Sequence, residues 1–61
     1  MIDYKDIGIR IRAARMKKGM TQEQLAEAVS VGTPHISHIE TGKTVPSLKT
    51  LINIINTLEC S

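Results

Sequence analysis

Apolar residues recur at helical spacing in four stretches of the chain, and glycine, proline and small polar residues divide them. The first stretch runs from about Tyr4 to Lys18, with Ile7, Ile11 and Ala14 on one face. Lys17 and Lys18 suit the negative end of a helix dipole, and Gly19 suits the cap position after it. Gly8 lies inside this segment, where glycine costs up to about 1 kcal/mol against alanine. Such a glycine marks a close approach between helices. Thr21 opens the second helix, with Gln24 three residues on as in a capping box. Leu25, Ala26 and Val29 form its inward face, and Ser30-Val31-Gly32 ends it near Val29.

Thr33-Pro34 opens a third helix, threonine as the cap and proline at the first helical position, where a missing amide hydrogen costs nothing. Ile36 and Ile39 face inward, and Thr41-Gly42 closes it after about two turns. Val45-Pro46-Ser47 is a loop, with Ser47 capping a fourth helix. Leu48, Leu51, Ile52, Ile55 and Leu58 are expected to form its buried stripe. Ile54 falls off that stripe, either as a tolerated exposed residue or as part of a contact surface. The pattern predicts an all-α fold, a compact bundle of four to five short helices in one domain over residues 1–61.

Composition narrows the function. At 61 residues the chain holds one small domain, burying about 60% of its unfolded surface. With one tyrosine and no phenylalanine or tryptophan, it lacks the stacking platforms of single-strand binders. Cys60 is the sole cysteine, so no internal disulfide can form, and a reducing cytoplasm is the expected location. No secretory signal follows Met1, and no apolar run approaches the roughly 18 residues of a membrane span. His35 and His38 are three apart, but no third ligand completes a metal site, and no cofactor is expected. Neither a Ser/His/Asp set nor a phosphate-cradling glycine loop is present, so an enzyme is not expected. Net charge is only +2, yet Lys5, Arg10, Arg12, Arg15, Lys17 and Lys18 all fall in the first segment. That clustering hints at a polyanion partner or a solvated helix face.

The second and third helices, about residues 22–41, have the plan of a helix-turn-helix. Its first helix braces against a DNA backbone, and its second lies in the major groove. Leu25, Ala26, Val29, Ile36 and Ile39 would lock the pair together, with Ala26 small enough to let the helices approach. Thr33, Pro34, His35, Ser37, His38 and Thr41 form the outward set. All but Pro34 can hydrogen-bond to bases or phosphates.

TQEQLAEAV, then PHISHIETGK, then VPSLKTLINI resemble the Cro/repressor family of helix-turn-helix DNA-binding proteins, the xenobiotic-response-element type. The resemblance covers essentially the whole chain and implies a lambda-repressor-like domain. It further implies base contacts from Thr33, Pro34, Ser37 and His38, and phosphate contacts from Gln22, Thr41 and Lys43. Arg10 is a further candidate for a phosphate. Arg15 and Glu40 match a salt bridge between the first and third helices, which moves Arg15 from the phosphate group to structure.

Three departures from the family pattern stand out. Ser30 replaces a glycine that often takes a left-handed backbone, at a cost of roughly 1 kcal/mol. Pro34 replaces a side chain that often hydrogen-bonds a base, and can offer only its ring, as to a thymine methyl. Family domains commonly run on into a fifth short helix that helps dimerisation, which is expected to be missing here. The expected function is sequence-specific binding of double-stranded DNA by a transcriptional regulator, a repressor acting as a homodimer on a two-fold site. No membrane or small-molecule partner is evident. The alternative is a protein-interaction or dimerisation module of the same fold.

Overall fold

A computed structural model describes residues 3–59; Cys60, like Met1, lies outside the described residues. Four helices follow in order: α1 (Tyr4–Lys17), α2 (Gln22–Ala28), α3 (Thr33–Glu40) and α4 (Leu48–Leu58). No strand occurs among the described residues. Helices α1, α2 and α4 each begin with a side-chain cap. Asp3 Oδ1 accepts from the Lys5 amide at 3.0 Å, and Ser47 Oγ accepts from the Thr50 amide at 3.2 Å. Thr21 and Gln24 make the reciprocal capping box, at 3.0 and 2.9 Å. At α3 the cap differs from the expectation. Gly32, not Thr33, holds the cap position, Thr33 is the first helical residue, and no side chain caps the helix. The helix begins one residue earlier than expected, because the Ile36 amide already bonds to the Gly32 carbonyl.

The first three helices end in the same way. The amides of Gly19 and Met20 turn back to the carbonyls of Met16 and Arg15. Those of Ser30 and Val31 return to Glu27 and Ala26, and those of Gly42 and Lys43 to Ile39 and His38. Each is the paired-bond ending that needs a left-handed residue after the helix. Gly19 and Gly42 supply it at φ 74° and 78°, and Ser30 at φ 59°.

Leu25, Ile36, Ile39 and Ile54 are fully buried at the centre, with Ile11, Ala26, Val29 and Leu58 around them. Ile7, Ala14, Met20, Val31 and Leu51 pack on this cluster. Gly8 does mark a close approach. A Cβ there would lie 2.4 Å from the Ile39 carbonyl oxygen and 2.6 Å from that of Glu40, so only glycine lets α1 cross the end of α3.

Helix α4 is rotated from the expected orientation. Ile54 is fully buried, whereas Leu48 is 74% exposed, and Ile52 and Ile55 are about half exposed. At about 100° per residue, the six apolar positions span an arc of roughly 160°. The core takes the flank holding Ile54, Leu58 and Leu51, and the other flank faces outward.

Candidate nucleic-acid interface

Helices α2 and α3 are held by more than apolar contact. Arg15 Nε donates to Glu40 Oε2 at 2.7 Å, and Arg15 Nη2 to Oε1 at 3.3 Å. A third nitrogen, Nη1, donates to the Met20 carbonyl at 2.7 Å. Gln22 Nε2 also reaches Glu40 Oε1, at 3.0 Å. One buried carboxylate therefore joins α1, α2 and α3. Glu40 is 5% exposed and Arg15 9%, so neither charge is left to water. No buried side-chain nitrogen or oxygen among the described residues lacks a partner. A fork of two hydrogen bonds also fixes the orientation of the pair, which a single point contact would not do.

Hydrogen bonds within the fold bear on two residues matched to phosphate contacts. Gln22 is held by Glu40, so one of its two amide hydrogens is engaged and the other remains for a partner outside. Thr41 Oγ1 lies 3.0 Å from the Ser37 carbonyl and 3.3 Å from that of His38. Its only hydroxyl hydrogen is spent within α3, and a phosphate, which only accepts, could gain it only by breaking that bond. Lys43 is exposed in the loop directly after Gly42.

Thr33, Pro34, Ser37 and His38 come together on the side of α3 away from Ile36 and Ile39. Pro34 and His38 are exposed; Thr33 and Ser37 are half-buried, as is His35. The side chains of Thr33, His35, Ser37 and His38 make no internal hydrogen bond among the described residues. Their donors and acceptors are free for a ligand, on a helix whose back is locked into the core.

Arg10 is not brought to this surface. It pairs with Asp6 one turn back on α1, at 3.2 Å. It also lines an apolar groove between α1 and α4, with Ile7, Ile11, Leu51 and Ile55. Lys5, by contrast, lies near the C-terminal end of α3. A Cβ on Gly42 would lie 2.9 Å from Lys5 Cα, so the start of α1 touches the loop after α3. Nothing in the spacing signals that contact, which joins residues far apart in the chain. No group of three or more metal-ligating side chains is assembled among the described residues, and none of their helices is long and apolar enough to cross a membrane.

The helix-turn-helix family pattern matches residues 11–61. The chain is 37% identical over 54 residues to the ImmF control region 10 kDa protein of Bacillus phage phi105, covering 88% of this chain and 60% of that protein. It is 35% identical over 48 residues to the HTH-type transcriptional regulator DdrOP3 of Deinococcus deserti, covering 79% and 37%. Over 40 residues it is 52% identical to an uncharacterized HTH-type transcriptional regulator of Archaeoglobus fulgidus, covering 66% and 57%. The chain thus spans less than two thirds of the length of each of these relatives. No solved structure matches it significantly. The match takes in α2, the turn at Ser30, α3 and the Arg15–Glu40 pair, and the chain belongs to the helix-turn-helix family, in the Cro/repressor type its sequence resembles.

Proposed function

We propose that this chain is the double-stranded DNA-binding domain of a transcriptional regulator, with α3 entering the major groove. One observation carries the reading: the side chains of Thr33, Ser37 and His38 on the outer face of α3 make no hydrogen bond among the described residues, while its inner face is anchored by two buried isoleucines and the Arg15–Glu40 pair. A rigid helix with unspent donors and acceptors is what direct base readout requires. Thr33, Ser37 and His38 read base edges, and Pro34 meets a thymine methyl. Lys43 and the free amide hydrogen of Gln22 hold phosphates. The relatives named as transcriptional regulators support this assignment, and the reading places the protein in the cytoplasm.

A homodimer would set two α3 helices about 34 Å apart, over half-sites one turn of DNA apart. Repression follows if the site overlaps a promoter. The outward flank of α4, with Leu48, Ile52 and Ile55, supports an apolar contact of this kind. The same flank favours the second reading, a protein-interaction module that does not touch DNA.

Selection from a random duplex library at two salt concentrations separates them. Enrichment of a two-fold site, with affinity falling steeply in salt, is the expected result. A single half-site would retain DNA reading and remove the dimer. An unenriched pool at low salt would leave the interaction module. Within an enriched site, His38→Ala should alter preference at one or two positions, costing about 1–3 kcal/mol.

A further inference from the structure

We infer that Lys5, at the start of α1, is a phosphate ligand that works beside Lys43 at the far end of α3. The inference rests on the DNA-binding reading above and adds a contact from outside the helix-turn-helix.

Two glycines set the geometry. Gly8 lets α1 lie against the Ile39 and Glu40 carbonyls. Gly42, at φ 78°, brings the following loop onto Lys5: a Cβ there would lie 2.9 Å from Lys5 Cα, 3.0 Å from Cγ and 3.2 Å from Cβ. Lys5 and Gly8 are three apart and share a helix face. The lower stem of Lys5 thus rests on Gly42, one residue before Lys43. Long basic side chains commonly pack their stems in this way and leave the charged head in water.

That head is unclaimed. Lys5 is exposed and has no ion-pair partner among the described residues. Both neighbouring acids are engaged otherwise: Asp3 caps the helix, and Asp6 pairs with Arg10. Arg10 itself lines the α1–α4 groove. Of these two basic residues, Lys5 is the one anchored to the loop at the C-terminal end of α3. Lys5 and Lys43 thus leave the backbone on either side of Gly42, and both are exposed, an arrangement suited to the backbone strand that borders a groove occupied by α3.

The test uses the whole chain and a labelled duplex of random sequence, since phosphate contacts supply non-specific binding. Affinity is measured across a salt series for the parent, Lys5→Met, Lys5→Arg and Arg10→Met. Methionine keeps an apolar stem on Gly42 and removes the charge. Lys5→Met is expected to reduce the log–log salt slope by about 0.9, the loss of one phosphate contact. Lys5→Arg restores it, Arg10→Met leaves it unchanged, and all four proteins melt alike. A parent that binds with the same slope as Lys5→Met overturns the inference and leaves DNA binding standing. So does an equal drop in Arg10→Met, which would report overall charge alone. A parent that binds no duplex at low salt overturns both.

Discussion

Helices α3 and α4 make opposite use of their apolar residues. Helix α3 has only two isoleucines, and both are essentially fully buried. Helix α4 has six aliphatic residues, of which Ile54 and Leu58 are buried and Leu48, Ile52 and Ile55 lie outward. The helix poorer in apolar side chains is the better anchored, because Glu40 adds a polar joint to its packing. Amphipathic strength therefore does not rank the helices by how firmly they are held.

The largest expected effect breaks that joint. Glu40→Ala leaves Arg15 buried without a counter-charge and removes the partner of Gln22. Loss of one member of a buried pair costs about 3–5 kcal/mol. A domain this small should be largely unfolded at room temperature, as read by circular dichroism. Retention of the parent melting curve would show that the pair contributes little.

The next effect lies within α4. Ile54→Ala should cost about 2–5 kcal/mol, as for other buried aliphatic truncations. Ile52→Ala, two residues away on the outward flank, should stay within about 0.5 kcal/mol in the monomer. Equal losses in denaturant melts would mean that α4 sits at another rotation.

The smallest effect has the opposite sign. Ser30 holds a left-handed backbone where α1 and α3 use glycine. Ser30→Gly relieves roughly 1–2 kcal/mol of strain and loses about 0.5–1 kcal/mol to the freer unfolded chain. A net gain of up to about 1.5 kcal/mol is expected, raising the melting temperature by several degrees. A lower melting temperature would place the cost of this turn elsewhere.

These contrasts show which features a one-dimensional reading can reach. The ends of α1, α2 and α3 were legible because their signals are local: the Thr21–Gln24 box, Gly19, Gly42, and Ser30 in a position that favours glycine. Gly8 was legible as a close approach, since an unexplained glycine in a helix implies a neighbour. The rotation of α4 was not, because an apolar arc of roughly 160° can bury either flank. The start of α3 was misplaced by one residue because Gly32 has no side chain to announce a cap. At the candidate interface, the residue types of Thr41 and Gln22 show hydrogen-bond capacity, but not that the Thr41 hydroxyl and one Gln22 amide hydrogen are already engaged within the fold. Arg10 and Lys5 are both basic residues of one helix, and only tertiary packing distinguishes the one on α4 from the one on Gly42.

The division between the two faces of α3 has a consequence for redesign. Its inner residues belong to the scaffold, and among the described residues the side chains of Thr33, Ser37 and His38 make no hydrogen bond. Under the proposed function, exchanging these three positions as a set, like type in a fixed frame, is expected to change the preferred ligand while the melting temperature stays nearly constant. On that reading the chain is a holder with an interchangeable edge.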